Sequence, residues 1–458
     1  MSIRFLSLLF LSTLFSTLGS CKDKEEIITD IPDQDEAFYS TPFDKMPDLN
    51  DVVMYEANQR LYASSGSFNA IANRLDDIKA LGVNVLWLMP VNKQGKEKAI
   101  GSPYSVQDYK QTEPEYGTLE DLRLLVKQAH EREMAVIIDW VANHTSWDNA
   151  WLKNNPDWYT QDANGQVGPP AGTNWNDVVD LDYSNREMRK AMIDAMKYWV
   201  REANIDGFRC DAADWVPADF WKDALYELRN LQEGRTILML AEGTDPINLQ
   251  AGFDMDYGWN FSDMLEGVFE RSKSIAQLYQ SHFNEFDKIP AGKQKLRHNT
   301  NHDRASEQSA VQQFHNQQGA LASFVISTTL GGVPLIYSSQ EVAYDLPVNF
   351  FNYIDLDWNQ NSDFTSSFKK IMMAYTSSDA FKTGVLEVYA DNNVVCYTRT
   401  LDEEQVLVLV NVRDEVVTFS VPEELIGTAW DSLIESGSTN LSGTISLDPF
   451  QYHLLKKK

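Results

Sequence analysis

From residue 52 onward the chain alternates short apolar, β-branched runs with longer amphipathic stretches, and this alternation leaves few folds open. Strands are expected at residues 52–55, 85–89, 135–139, 207–210, 237–240 and 335–337. Helices are expected between them. Residues 68–81 place Ile71, Leu75, Ile78 and Leu81 on one face, and residues 118–133 do the same with Leu122, Leu125, Val126 and Ala129. Strand, helix, strand repetition means a parallel sheet with crossover helices. It extends over about 330 residues, which suits an eightfold barrel with insertions, although element counting alone leaves a large open sheet in play.

Two stretches break the alternation. Between Asp139 and a helix starting near Asn185 lies a long connection rich in tryptophan (Trp147, Trp151, Trp158, Trp175) with a Gly-Pro-Pro turn. A connection of that length inside a compact domain is usually functional. From residue 383 the pattern turns to β-rich runs such as Val406-Leu407-Val408-Leu409-Val410, which reads as a small antiparallel domain at 383–458.

The N-terminus carries an address. Residues 1–20 have one positive charge, Arg4, then an apolar, hydroxyl-containing run too short for a membrane span, so they read as a secretory signal. Its end, Leu18-Gly19-Ser20-Cys21, resembles a bacterial lipobox, which makes Cys21 the lipidated N-terminus. Lys22-Asp23-Lys24-Glu25-Glu26 resembles the signal that sends Bacteroidetes lipoproteins to the outer face of the outer membrane. The expected location is therefore the cell envelope, by an outer-membrane lipid anchor. Residues 21–50, acidic and rich in Asp and Pro, are expected as a solvated tether. The net charge of −28 excludes a nucleic-acid partner, because no basic stripe faces phosphates. Three cysteines make no disulfide framework; Cys210 and Cys396 read as small buried apolar residues.

Carboxylates and histidines recur where the candidate strands end: Asp139-Trp-Val-Ala-Asn143-His144, Gly207-Phe-Arg209-Cys-Asp211, Ala241-Glu242-Gly243 and Asn301-His302-Asp303. In a parallel barrel the strand C-termini form the active face. Singly, each residue reads as a helix cap or a structural histidine. In this order they resemble the signature segments of the α-amylase family, glycoside hydrolase family 13. Residues 83–90, Gly101-Ser-Pro-Tyr104, Val179-Asp180-Leu181-Asp182 and Gly332-Val-Pro-Leu-Ile-Tyr337 resemble further segments of that family. The resemblance implies an α/β fold: a (β/α)8 TIM barrel over residues 51–382, a short domain B insertion after strand 3 at about 145–182, and a C-terminal all-β sandwich.

Carried over residue by residue, the resemblance implies a retaining hydrolase of α-linked glucans or malto-oligosaccharides. Such a reaction uses two carboxyl groups about 5–5.5 Å apart. Asp211 takes the nucleophile role, Glu242 the acid/base role and Asp303 the transition-state role. Tyr104 is implied to stack on the sugar, His144 and His302 to touch its hydroxyls, and Asp139 to orient Arg209 beside the nucleophile. Asn143 and Asp182 match positions that hold a structural Ca²⁺ in many members, with a backbone carbonyl near Trp215, although Asn143 serves equally well as a loop tie without metal. No organic cofactor is implied. Trp147, Trp175, Trp215 and Trp259 are candidate outer sugar platforms, or a private core.

The sequence also departs from the family. Typical members follow the nucleophile with a Lys-His pair, whereas here Ala-Ala-Asp214-Trp215 follows Asp211. Two other readings share the same residues: a glucan transglycosylase, and a non-catalytic glycan-binding surface lipoprotein.

Overall fold

The computed structural model describes residues 37–458. The signal, Cys21 and the first part of the tether lie outside the described residues. Eight parallel strands close into a barrel: β1 (Met54–Ala57), β2 (Val85–Leu88), β3 (Ala135–Val141), β4 (Gly207–Asp211), β5 (Leu238–Ala241), β6 (Met255–Tyr257), β7 (Gln294–Arg297) and β8 (Val333–Tyr337). β1 closes the ring, pairing Met54 with Val85 on one side and with Leu335 on the other.

Because side chains alternate along a strand, each strand sorts its residues between the barrel interior and the surrounding helices. Phe208 and Cys210 point outward into the helix layer, as do Tyr55, Leu86 and Ile138. Met54, Val85, Ile137, Leu240 and Leu335 point inward and fill the lower barrel. Higher up, the same inward faces carry Glu56, Trp87, Asp139 and Arg209, all with no exposed surface. The apolar floor and the polar upper layer are thus two halves of one alternating pattern.

The structure corrects three expectations. β6 and β7 were not among the expected strands, because their outward faces are charged: Lys295 pairs with Asp256 at 2.8 Å and Arg297 pairs with Glu285 behind the barrel wall. The single helix expected over 68–81 is two, Ser67–Ala72 and Leu75–Lys79. Residues 37–50, expected as solvated tether, lie against the barrel. Phe43 is buried in the floor cluster with Met46 and Leu49 packed beside it, and the Tyr39 N–H donates to the Arg201 carbonyl at 2.8 Å. Three apolar residues spaced through an Asp- and Pro-rich segment are enough to plug the bottom of the barrel.

The helix Leu119–Glu131 starts where the sequence places it, with a capping box between Thr118 and Asp121. After β3, an antiparallel ribbon of His144–Ser146 and Val178–Asp180 founds the insertion. Trp151 and Trp158 pack edge to face within it, 5.3 Å apart.

The C-terminal domain has a six-stranded sheet and a two-stranded sheet enclosing Cys396, Leu407, Leu409, Phe419 and Trp430. The other face of the larger sheet, with Val395, Tyr397, Val406 and Val408, joins the barrel's helix-layer core. Both faces of this sheet are covered, which explains the unbroken apolar run at residues 406–410. Tyr279 on a barrel helix fastens the junction, donating to the Cys396 carbonyl at 3.0 Å and accepting from its N–H at 2.9 Å. Among the described residues no helix is long and apolar enough to cross a membrane.

Candidate active site

The register of the barrel brings the expected residues together. Asp139 on β3 pairs across from Arg209 on β4, and Cys210 pairs across from Ala241, so Asp211 and Glu242 end adjacent strands at nearly the same level. Arg209 is the hub. Its Nη1 donates to Asp139 Oδ1 at 2.9 Å and to Asp211 Oδ1 at 3.0 Å, and its Nη2 lies 3.0 Å from Glu242 Oε2. Its Nε donates to the Tyr257 hydroxyl at 3.2 Å. A planar guanidinium with forked donors can hold three carboxylates in this way, which an ammonium cannot.

Burial and mutual repulsion set the protonation of the cluster. Burial pushes Glu242 up to about 7, against the pull of Arg209 and with the help of Asp211 and Asp303. Burial also pushes Asp211 up, to about 6, with Arg209 opposing and the neighbouring carboxylates Asp139 and Asp303 assisting. Asp139 is raised to about 6 for the same first reason, again opposed by Arg209. Near neutral pH the cluster therefore carries one carboxyl that retains its proton more readily than the others, and that carboxyl is Glu242.

A second chain of contacts flanks the first. Tyr104 lies within hydrogen-bond distance of Asp139 Oδ2 at 3.2 Å and of His302 Nε2 at 2.8 Å, and its ring stacks on the His302 ring with centroids 5.5 Å apart. His302 Nε2 lies 3.3 Å from Asp303 Oδ1. Asp303 is the most open of the three expected catalytic carboxylates, its side chain 45% exposed against 13% for Asp211 and 19% for Glu242. His144 is buried at the mouth of the insertion, with Asn143 Nδ2 3.3 Å from its Nδ1 and the Trp175 ring 5.4 Å away. Burial pushes it down to about 4, so it is neutral at physiological pH.

The four platform candidates separate. Trp147 is tied down, donating to the Asn176 carbonyl at 3.0 Å with Lys98 over its ring. Trp259 stacks on Tyr257 at 5.2 Å, beneath Arg304. Trp175 and Trp215 are 37% and 50% exposed and stack on each other, centroids 5.2 Å apart at 18°. Asp214, where the family's pattern departs, turns toward the loop after β5. It accepts from the Thr244 N–H at 2.9 Å and from Asn248 Nδ2 at 2.5 Å. Gly243 makes this possible, since a Cβ there would meet Asp214 Oδ1 at 2.1 Å.

Asn143 and Asp182 come near one another through the Leu181 N–H, which donates to the Asn143 carbonyl at 3.2 Å. Asp182 Oδ1 accepts from the Ser184 N–H at 2.8 Å. Among the described residues, no three His, Cys, Asp or Glu side chains converge as a metal cluster.

Sequence reasoning missed four residues of this site: Glu56, Trp87, Tyr257 and Phe350. Trp87 donates to Asp139 Oδ2 at 3.2 Å, and Phe350 packs edge-on against both Tyr104 and His302. Trp87 sits inside a strand that reads as an ordinary apolar run, Glu56 lies one residue beyond the expected strand at 52–55, and Tyr257 sits on an unexpected strand. A charged residue on an inward-facing strand position was the available signal for Glu56.

Comparison with known proteins agrees with this arrangement. The family model for the alpha amylase catalytic domain matches residues 37–386. Alpha-amylase 3 of Dictyoglomus thermophilum is 24% identical, over 83% of this chain and 88% of that protein. The crystal structure of the maltogenic alpha-amylase AmyB from Thermotoga neapolitana superposes with a TM-score of 0.81 at 28% identity, covering 90% of this chain and 99% of that one. An alpha-amylase from Lactobacillus plantarum gives 0.80 at 28% identity, over 89% and 99%. An eight-stranded barrel with its carboxylates on one guanidinium, a matching family model and relatives aligned over most of both chains lead to one conclusion: this chain belongs to the alpha-amylase family of glycoside hydrolases.

Proposed function

We propose that the protein hydrolyses α-linked glucans, malto-oligosaccharides among them, by double displacement with retention of configuration. The observation that carries this reading is the Arg209 hub, which holds Asp211 and Glu242 on one guanidinium at 3.0 Å each. Sharing one small cation keeps the two carboxyls close, as the retaining geometry of about 5–5.5 Å requires.

In the first half-reaction an ionised Asp211 oxygen attacks the anomeric carbon while the Glu242 proton passes to the departing glycosidic oxygen. The C–O bond to the leaving sugar breaks and a glycosyl ester forms on Asp211. Glu242, now a carboxylate, then takes a proton from water, whose oxygen displaces Asp211 and restores the α configuration. Asp303 and His302 bind ring hydroxyls, and Tyr104 packs against the ring. Arg209 favours the ionised form of Asp211, which burial would otherwise keep protonated. Asp211→Asn and Glu242→Gln test the reading: each is expected to lower turnover by about 10³-fold or more without loss of fold. Activity within about tenfold of the parent in either variant contradicts the assignment.

Trp175 and Trp215 extend the site on its open side, and an exposed aromatic pair of this kind suits the apolar face of a pyranose further along the chain. Calcium near Asn143 and Asp182 is a proposal resting on the resemblance and on the backbone bond that ties Leu181, the neighbour of Asp182, to Asn143. With one carboxylate oxygen engaged by Ser184, a hard cation there would draw on backbone carbonyls as well. No step above passes through it. Chelation with EDTA tests it: calcium-loaded protein should lose melting temperature, and an unchanged value counts against the site.

Attachment to the outer membrane through Cys21 is likewise proposed, on the strength of the Leu18-Gly19-Ser20-Cys21 motif. Cys21→Ser is expected to abolish labelling by a palmitate analogue, and normal labelling contradicts the anchor.

A further inference from the structure

Glu56 is the one charged residue of β1, and its side chain has no exposed surface. It stands one alternation above Met54 on the inward face, so it reaches into the upper layer of the barrel. Burying a carboxylate there is costly unless a partner compensates. The partner is His302: Nδ1 lies 2.5 Å from Glu56 Oε1, while Glu56 Oε2 is buried without a hydrogen bond. Among the described residues the Glu56 carboxylate therefore has a single hydrogen-bonded partner, and that partner is the imidazole beside Asp303.

We propose that Glu56 is a positioning residue, whose carboxylate accepts the Nδ1–H of His302, orients the ring and stabilises its doubly protonated form, the one that presents an Nε2–H to Tyr104 and Asp303. The direction of the neighbouring hydrogen bonds follows from this. With both ring nitrogens protonated, His302 Nε2 donates to the Tyr104 oxygen at 2.8 Å, and the Tyr104 hydroxyl is free to donate to Asp139 Oδ2 at 3.2 Å. Asp139 in turn accepts from Arg209 and Trp87. With His302 neutral and its one proton on Nδ1, Nε2 would take the Tyr104 proton instead. Tyr104 would then have nothing to donate to Asp139.

The groups facing His302 from each side agree with the cation. Burial works against the charge, but Asp303 and Glu56 outweigh it, and Arg209 opposes them, leaving His302 raised to about 9. Asp139 from β3 adds a further negative neighbour. His298, from the end of β7, is itself held neutral by burial and by Arg304 and Arg297, and so does not compete. Trp87, Tyr104 and Phe350 close the remaining sides with rings.

This inference deepens the proposed mechanism and rests on it only where His302 is taken to face the sugar. The test is a titration of the His302 ring by NMR in the parent protein and in Glu56→Gln, with the pH profile of kcat/KM in both. The parent ring should titrate near 9. In Glu56→Gln its midpoint should fall by about 1 pH unit or more, the alkaline limb of kcat/KM should move with it, and kcat should drop up to about a hundredfold. Glu56→Asp, which keeps the charge on a shorter stem, should recover part of the ring shift. An unchanged His302 midpoint in Glu56→Gln overturns the inference. If that variant does not fold, a parent ring titrating near the ordinary value of 6.5 overturns it instead. Failure of the double-displacement reading would show separately, as activity surviving in Asp211→Asn, and would leave the ring titration untouched.

Discussion

The backbone N–H of Ala212 donates to Glu242 Oε2 at 2.7 Å, so the chain that has just placed Asp211, the proposed nucleophile, also holds Glu242, the proposed acid/base. The contact exists because Ala212 turns left-handed, at φ 45°, straight after β4 ends. The Ala213 N–H then donates to the Glu242 carbonyl at 2.9 Å, and the Glu242 N–H to the Cys210 carbonyl at 2.9 Å. The two strand ends that carry Asp211 and Glu242 are thus locked in one relative position by main chain as well as by Arg209.

Side-chain branching at residue 212 should expose this dependence. Ala212→Gly keeps the N–H and accepts the positive φ, so thermal stability and activity should stay close to the parent. Ala212→Val should cost about 1–2 kcal/mol in thermal unfolding and lower kcat, because a β-branched residue is strained in that conformation. Equal behaviour of the two variants would mean that the turn does not matter.

Arg209 should be irreplaceable by lysine. It is buried with three carboxylates around it, and lysine cannot reach all of them from one flexible stem. Arg209→Lys is expected to destabilise the fold by about 3–5 kcal/mol and to abolish measurable turnover. A melting temperature near that of the parent would show that the hub is dispensable.

The pH dependence of stability has a definite sign. Folded Glu242 retains its proton up to about 7, whereas an unperturbed glutamate loses it near 4.5. Folded His302 retains its proton up to about 9 against an ordinary 6.5. In both windows the folded state binds more protons than the unfolded one, so stability falls as pH rises. The contribution is complete below the unfolded values and gone above the folded ones. Below about pH 6.5 the buried neutral His144, His282 and His298 act in the opposite direction, so the parent's melting temperature should fall from about pH 7 to about pH 9, and Glu242→Gln should change its pH dependence between about pH 4.5 and pH 7. A melting temperature that does not fall between about pH 7 and pH 9 would contradict the raised His302, and an unchanged pH dependence in Glu242→Gln would contradict the raised Glu242.

The aromatic pair on the open side predicts a dependence on chain length. Trp215→Ala should lower kcat/KM for maltoheptaose about threefold to tenfold while leaving maltotriose within about twofold. Equal loss on both substrates would place Trp215 at the sugar being cleaved, and no loss on either would leave it outside the path of the glucan.

Much of this site was legible as sequence because its residues follow strand ends in a fixed order, and a barrel gathers all strand ends on one face. Asp139, Arg209, Asp211, Glu242, His302 and Asp303 were placed that way, and the structure brings them together. The omissions share a cause. β6 and β7 were hidden because their buried charges, Asp256, Lys295 and Arg297, are neutralised by partners that no local pattern reveals. Glu56 fell one residue beyond the expected strand at 52–55, and its partner lies 246 positions away. Asp214 sits close to Asp211 in sequence, yet it faces the loop after β5, and proximity along the chain misreads it. Of the four tryptophans, only surroundings in three dimensions separate the tethered Trp147 and Trp259 from the exposed Trp175 and Trp215.

The central claim, attack by Asp211 with retention, is tested most directly by following the hydrolysis of maltoheptaose by NMR within the first minutes, before the product anomers equilibrate. The new reducing ends are expected first as the α anomer, drifting toward the equilibrium mixture afterwards. First appearance of the β anomer would mean direct attack by water, and would contradict a nucleophilic role for Asp211.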